Sequence, residues 1–149
     1  MSTRLTLTVK RLPDVELIEH GFWLHRVLCV VRFPIAESAG LSGPYHTIVD
    51  TGAPTSIVPR SVWSQTSVRT LKSFPLQGLV ARKECVIPVT AGIISAVLED
   101  RDGHRVRRSF RTYLAQVDEV PLILGMQDLL EDSKFYLDLK TETAWLEFR

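Results

Sequence analysis

The chain has 149 residues, of which 45% are hydrophobic and 23% are charged, a composition typical of a globular protein. Its formal net charge of +1 gives no electrostatic reason to expect a nucleic-acid or membrane partner. The amino-terminal residues 1–13 alternate polar and apolar side chains and lack the unbroken apolar stretch of a secretory signal, so we expect a cytoplasmic protein. These features predict a single domain over residues 1–149.

The first half of the chain shows a hydrophobic period of two, which predicts strands. Leu5, Leu7 and Val9 alternate with threonine and lysine and predict the first strand. The stretch 34–45 is rich in glycine, proline and small residues and therefore predicts a loop. The other elements predicted in this half are strands at 22–33, 46–50 and 56–58 and a helical turn within 61–68.

The second half continues with short strands and one helical segment. Asp102 and Gly103 form a good hairpin turn between two predicted strands. In MQDLLEDSK, Met126, Leu129 and Leu130 have helical spacing and predict one short helix. The expected fold class is therefore all-β, mainly β with one short C-terminal helix, arranged as a barrel or sandwich. The strands predicted in this half are 85–89, 92–100, 105–117, 120–125, 134–140 and 143–149.

The residue types that bind metals or form disulfides do not indicate such a site in this sequence. Cys29 and Cys85 each lie in an apolar segment, as small buried side chains do, with a disulfide or a reactive thiol as the alternative. The four histidines lack metal-ligand spacing, and the stretch 100–103 lacks the later ligands of a calcium loop. The basic run 104–111 has acidic neighbours, which favours a solvated hairpin face over nucleic-acid contact.

The segment IVDTGAPTSIVP, residues 48–59, places a lone carboxylate between two apolar runs. Its first apolar pair predicts a buried strand that presents Asp50 at its end. Gly52 permits a tight backbone turn, and the hydroxyls of Thr51 and Ser56 can hold that turn through backbone hydrogen bonds. An Asp-Thr-Gly tripeptide by itself is more often a loop former, so a catalytic interpretation requires a second motif.

That second motif is LILG, residues 122–125. VDTGAPTS resembles the active-site loop of the retroviral-type, or retropepsin-like, aspartic proteases, and LILG resembles the later marker of that family. In the family, the later segment passes through a ψ-shaped loop and packs beside the catalytic turn. The resemblance implies a closed-barrel acid-protease fold with one lobe per chain. It implies these roles: Asp50 as the catalytic residue, Thr51, Gly52 and Ala53 as support of the active-site loop, and Ile123, Leu124 and Gly125 as support from the ψ-loop.

The sequence contains one turn of this kind, whereas aspartic chemistry needs two carboxylates. The pair Asp102-Gly103 is flanked by charged residues and lacks an apolar floor. The resemblance therefore implies a homodimer in which a twofold axis brings two copies of Asp50 together. Such an enzyme cleaves a peptide bond in a peptide or protein substrate with a water activated by both carboxylates, without a cofactor or metal. The resemblance also implies that Thr51 hydrogen-bonds across the axis to the other loop.

Family topology implies a flap over the cleft, within residues 71–90. Gly78 is expected at the flap tip, with Leu79 as a substrate-binding neighbour, and an ordinary surface hairpin is the alternative. Residues 144–148 are expected either to join a dimer sheet or to fill the monomer core. The rival function is a catalytically silent retropepsin-like dimerisation or peptide-binding module. A more distant rival is a monomeric β domain that binds a small ligand.

Overall fold

The computed structural model describes residues 1–76 and 86–149, and these residues fold mainly as β-structure. No helix within the described ranges is long and apolar enough to cross a membrane. The helical elements of the described residues are α1 (Arg60–Trp63) and the 3-10 turns Ile18–His20 and Leu130–Asp132. The strands are β1 (Thr3–Pro13), β2 (Trp23–Arg32), β3 (Tyr45–Val49), β4 (Ser56–Val58), β5 (Arg69–Leu76), β6 (Ile87–Glu99), β7 (Arg105–Ala115), β8 (Ile123–Leu124), β9 (Ser133–Asp138) and β10 (Thr143–Phe148).

The period of two in the sequence produces the buried face of the sheet. In β1, Leu5 and Leu7 are buried whereas Thr6 is exposed, because successive strand side chains point to opposite faces. The predicted hairpin at Asp102 and Gly103 is confirmed, since it joins β6 to β7 and Gly103 adopts φ +87°. The two strands predicted before this hairpin form one continuous strand, β6, within the described residues.

The strands form one ten-stranded sheet in the order β5-β6-β7-β4-β8-β3-β2-β1-β10-β9, with an additional pairing of β6 with β2. At its centre, β8 lies parallel to β3 and antiparallel to β4, and β4 lies parallel to β7. β8 therefore lies between two strands that are distant from it in sequence. This arrangement places the stretch that follows β3 beside the stretch that follows β8, and these stretches belong to the two motifs singled out in the sequence.

The carboxyl-terminal part differs from the prediction of one short helix. Residues 126–134 contain a turn followed by the 3-10 turn Leu130–Asp132, so the predicted α-helix is wrong. Asp128 has φ +60° and Leu129 has φ −125° and ψ −83°, and both depart from α-helical geometry. The two predicted final strands are confirmed as β9 and β10, which form a hairpin.

The last strand belongs to the monomer core. β10 lies between β1 and β9, so both of its hydrogen-bonding edges are used within the chain. Ala144, Leu146 and Phe148 are buried, and Trp145 stacks on Tyr136 with ring centroids 5.3 Å apart. Of the two alternatives for this segment, the structure shows the monomer core, and β10 has no free edge for a dimer sheet.

The core has two parts. The main part contains the fully buried rings of Phe33, Phe110 and Phe148 and draws on most strands of the sheet. A smaller apolar cluster lies where β4, β6 and β7 meet. The buried residues of this smaller cluster are Ile57, Ile87, Val89, Ala115 and Val120.

Cys29 is confirmed as a small buried side chain of the main core. Burial raises the pKa of its thiol to about 12, and the negative charges of Asp100 and Glu99 act in the same direction. A thiol with so high a pKa is a poor nucleophile. Cys85 lies outside the described residues.

Candidate active site

The two sequence motifs meet at the end of β3. β3 and β8 pair in parallel, with Ile48 opposite Ile123 and Val49 opposite Leu124. The N–H of Asp50 continues this pairing and donates to the Leu124 carbonyl at 3.0 Å. The residue predicted to be catalytic and the residues predicted for the ψ-loop are therefore neighbours in space, although they are distant in sequence.

Asp50 opens a tight turn that leaves much of its carboxylate available. Its Oδ1 accepts the Gly52 N–H at 2.8 Å, and its main-chain carbonyl accepts the Ala53 N–H at 3.2 Å. Within the described residues, Oδ2 of Asp50 accepts no hydrogen bond. Asp50 is partly buried, whereas Thr51 and Gly52 are exposed. A carboxylate held through one oxygen and open at the other can bind water or exchange a proton.

Gly125 is the point at which the Asp50 turn and the segment after β8 touch. A Cβ there would lie 2.7 Å from both the Ala53 carbonyl oxygen and the Thr55 carbonyl carbon, so only glycine fits. The Gly125 N–H donates to the buried hydroxyl of Ser56 at 2.9 Å. The Met126 N–H donates to the Ala53 carbonyl at 2.9 Å. Ser56 therefore makes a hydrogen bond to the backbone, as predicted, but this bond joins β4 to the second motif and does not close the Asp50 turn.

Three supporting residues were missed by the sequence analysis. Thr112 is buried on β7 and donates its hydroxyl to the Ser56 carbonyl at 3.0 Å. Arg111 binds Asp128 through three bonds: Nε to Oδ2 at 2.7 Å, Nη2 to Oδ1 at 2.8 Å, and the backbone N–H to Oδ2 at 3.0 Å. These bonds from Arg111 hold the pKa of the Asp128 carboxyl well below its usual range. Of the three, Thr112 could have been identified from the sequence, because it places a hydroxyl at an inward position of a strand with a period of two.

The smaller apolar cluster lies beside the candidate site and receives side chains of the β5–β6 hairpin. Ile57 of this cluster pairs with Ile123, which packs against the same cluster. Phe74 of β5 also packs there. The hairpin predicted as a flap is therefore connected to the ψ-loop through apolar contacts. The predicted tip residue Gly78 and its neighbour Leu79 lie outside the described residues.

A second carboxylate, Asp100, is held at the β6–β7 turn. Its buried side chain accepts hydrogen bonds at 2.9–3.1 Å from the N–H groups of Thr6, Asp102 and His104 and from the His104 ring Nδ1. Burial by itself would raise the pKa of this carboxyl, but these donors lower it overall. Ligand atoms of Asp100, Asp102 and His104 lie within 4.8 Å of one another, a proximity that the sequence did not predict and that the bonds to Asp100 explain.

An Asp-Thr-Gly turn at a strand end, with a glycine segment crossing beside it, is the arrangement that the resemblance to acid proteases implies. The molecule is similar to the crystal structure of a retropepsin-like aspartic protease from Rickettsia conorii, with a TM-score of 0.52. The match covers 99% of this chain and 93% of that chain, at 14% sequence identity. The sequence matches no protein-family model and no curated protein. At this identity the likeness shows the fold, whereas the reaction depends on the residues of the site.

Proposed function

We propose that this chain is a homodimeric aspartic endopeptidase whose active site contains one Asp50 from each of two copies. The observation that carries the proposal is the Asp50 turn. This turn holds a carboxylate at the end of a strand through one of its oxygens, at the place where Gly125 packs against the turn. In the proposed chemistry one ionised carboxylate activates the water while a second, protonated carboxylate polarises the carbonyl at the same time, so a second copy supplies the other. The retropepsin-like fold and the β2–β6 pairing, which a closed barrel requires, support the proposal.

The proposed chemistry follows from placing two carboxylates a few ångströms apart. Both cannot be ionised at low cost, so the pair shares one proton. The ionised Asp50 takes a proton from a water bound between the two side chains, and this water attacks the peptide carbonyl. The protonated Asp50 of the second copy polarises the carbonyl oxygen, and its proton then passes toward the leaving nitrogen. The titration that controls the rate belongs to the pair.

Two neighbours of Asp50 shape the proposed dyad. Thr51 is exposed at the turn, so its hydroxyl is accessible to the other loop across the axis. Ala53 offers the dyad no hydroxyl, in contrast to the serine or threonine usual at this position in two-lobed aspartic proteases. We therefore expect the activity to peak nearer to mild acid or neutrality than in gastric-type enzymes. A pH–rate profile with its maximum in strong acid would contradict this expectation.

The proposed substrate is an extended peptide segment that binds beside Asp50. The β5–β6 hairpin is the proposed flap, with Gly78 at its tip and Leu79 as a substrate contact. Phe74 on β5 and Ile123 on β8 are partly buried at the margin of the smaller apolar cluster. This position supports apolar contacts to the substrate between the proposed flap and the ψ-loop.

An asparagine at residue 50 tests the proposal. Asp50→Asn preserves the shape of the side chain but removes the ionisable group, and we expect cleavage of denatured casein to fall by at least about 10²-fold. Asp102→Asn, at an exposed aspartate of the other Asp-Gly turn, is the matched control and should cleave at the wild-type rate. Unchanged cleavage in Asp50→Asn would remove the catalytic assignment. A wild-type chain that dimerises but cleaves nothing would favour the silent binding module.

A further inference from the structure

Strand β7 has a free hydrogen-bonding edge along its first half. On one side β7 pairs with β6 over its whole length, whereas on the other side β4 pairs only with residues 112–114. The Arg111 N–H points away from β6, because it donates to the Asp128 carboxylate at 3.0 Å. Backbone groups of alternate strand residues point to the same side, so the N–H and C=O groups of Arg107 and Ser109 also point away from β6. Within the described residues, no strand pairs with these groups.

A cavity of about 570 Å³ lies along this free edge, a volume within the usual range of ligand sites. Residues 107–111 of β7 form one side of the cavity, and Asp128 and Asp132 form part of the other. We call these residues and the space between them the edge groove. Five strand residues span about 17 Å, which is long enough for an extended peptide to pair with β7 as an additional strand.

Arg108 is a cation of the edge groove with unused hydrogen-bonding capacity. Its guanidinium lies over the Phe148 ring, 4.9 Å from the ring centroid, and this contact helps to hold it in place. Of the five N–H donors of an arginine, Arg108 uses one within the described residues, from Nη2 to the Arg149 carbonyl at 3.3 Å. Its Nε is buried without an acceptor, so a ligand reaches the half-buried side chain through the Nη atoms. A carboxylate is the acceptor that matches a guanidinium best.

The edge groove has an excess of positive charge. Arg111 and Asp128 neutralise each other through their hydrogen bonds. Within the described part of the chain, Arg107, Arg108 and Asp132 form no ion pair. Two arginines and one aspartate therefore remain, which favours an acidic ligand. Arg108 and Asp132 also line a neighbouring cavity, which adds two charges of each sign, namely Glu131, Glu147, Lys134 and Arg149.

The same charges exclude a second copy of β7 as the occupant of the edge groove. Two β7 edges that paired with each other would bring their arginines together, and like charges opposite each other destabilise a sheet. Charged side chains on an edge strand prevent such association of identical sheets. An acidic strand meets no such barrier. The arginines of β7 are Arg105, Arg107, Arg108 and Arg111.

We propose that the edge groove binds an extended acidic segment of a partner protein, which pairs with β7 as an additional strand. Main-chain hydrogen bonds to Arg107 and Ser109 hold the segment in the groove. Successive strand side chains point to opposite faces, so two adjacent acidic residues of the segment meet Arg107 on one face and Arg108 on the other. Such an adjacent pair is the feature that the groove recognises. The proposal makes no use of Asp50 and is therefore independent of the proposed function.

Fluorescence anisotropy with the Asp50→Asn chain measures binding without cleavage of the probe. The probe is a fluorescein-labelled peptide that has two adjacent glutamates between threonine and valine residues. The same peptide with lysines in place of the glutamates should bind at least about tenfold more weakly. N-methylation of one alternate set of its backbone amides should weaken binding by a similar factor, because it removes the donors to β7, whereas methylation of the other set should have little effect. A glutamate peptide that does not bind, or that binds no better than its lysine and methylated counterparts, overturns the proposal.

Substitutions in the edge groove test the charges on the protein side. Arg108→Gln should weaken binding of the glutamate peptide by at least about tenfold. Asp132→Asn removes the unpaired negative charge and should strengthen binding about threefold. Arg101→Gln, at an exposed arginine of the β6–β7 turn, is the matched control and should bind as the parent chain does. Circular dichroism checks that each variant is folded, and a folded Arg108→Gln variant with the parental affinity would contradict the assignment.

Amide hydrogen exchange measured by NMR locates the bound peptide. Saturation with the glutamate peptide should slow exchange of the Arg107 and Ser109 N–H groups by at least about tenfold, because these groups become hydrogen-bonded. The Phe110 N–H, on the edge already paired with β6, serves as the internal reference and should change little. Protection confined to other parts of the chain would place the peptide elsewhere and overturn the proposal. A DNA duplex that binds more tightly than the peptide and depends on Arg108 would show a nucleic-acid contact instead.

Discussion

Asp50 and Asp100 occupy similar places in the chain but have opposite environments. Each directly follows the last residue of a strand, β3 or β6, and each is followed by a glycine-containing turn. The buried Asp100 carboxylate accepts hydrogen bonds from three backbone N–H groups and one imidazole of its own chain. Within the described residues, the Asp50 carboxylate accepts one, from Gly52.

This difference separates a structural carboxylate from one that is available for chemistry. A carboxylate has about four lone-pair sites, and Asp100 uses this capacity to fasten β1 to the β6–β7 turn. Within the described residues, Asp50 leaves most of this capacity unused, which the proposed dyad requires.

Replacing each carboxylate by its amide should produce opposite losses. Asp100→Asn should lower the free energy of unfolding by about 2–3 kcal/mol, because the amide NH₂ faces N–H donors and leaves buried groups unsatisfied. Asp50→Asn should change that free energy by less than about 0.5 kcal/mol, as expected where few contacts are lost. Urea unfolding at matched protein concentration, followed by intrinsic fluorescence, measures both. If Asp50→Asn were the less stable variant, Asp50 would be a structural residue and the comparison would fail.

Replacing each of the two turn glycines by alanine should also distinguish the two turns, with effects smaller than those of the amide substitutions. Gly103 has φ +87° and open space around it, so Gly103→Ala should cost about 1 kcal/mol of stability through backbone strain and leave cleavage unchanged. A Cβ at Gly52 would lie 3.2 Å from Asp50 Oδ1, so Gly52→Ala should displace the carboxylate and lower kcat by about tenfold. Thermal unfolding and steady-state kinetics measure the two effects. A fully active but destabilised Gly52→Ala variant would reverse the assignment.

The smallest expected effect is on stability at acid pH, where the wild type and Asp100→Asn should differ. The Asp100 pKa in the folded chain lies below its ordinary value of 3.8, so the carboxylate contributes stability above that value. This contribution is lost as the pH falls through the lower, folded pKa. As the pH falls below 3.8, the free energy of unfolding of the wild type should therefore decrease more steeply than that of Asp100→Asn. The other carboxyl groups contribute the same pH dependence to both proteins. Unfolding transitions measured across this range check it, and parallel profiles would show that Asp100 is not favoured as the ionised form.

Much of the β architecture could be predicted, because it depends on local patterns. The period of two at Leu5 and Leu7 marks a buried strand face, and Asp102-Gly103 marks a hairpin. The helix predicted over residues 126–134 fails because spacing of apolar residues does not reveal the left-handed backbone of Asp128. The pairing of residues 8–13 with residues 23–28 was also missed. A strand could be predicted over residues 22–33, but its pairing partners beyond Leu28 depend on the sheet order.

The candidate site could be predicted in part, through its two motifs and the resemblance that links them. Their contact depends on Gly125, whose missing side chain admits the backbone at Ala53 and Thr55. The contrast with Asp100 could not be predicted, because one of its donors, Thr6, is 94 residues away in sequence. Such long-range hydrogen bonds follow from the fold and leave no local pattern.

Mixing wild-type chains with Asp50→Asn chains tests most directly whether one active site uses a carboxylate from each of two copies. The two chains are combined in varying ratios at constant total concentration, incubated until subunits exchange, and assayed for peptide cleavage. We expect activity to follow the square of the wild-type fraction, because mixed dimers contain one carboxylate and are inactive. Activity in direct proportion to the wild-type fraction would mean that each Asp50 acts without the other, which would contradict the shared active site.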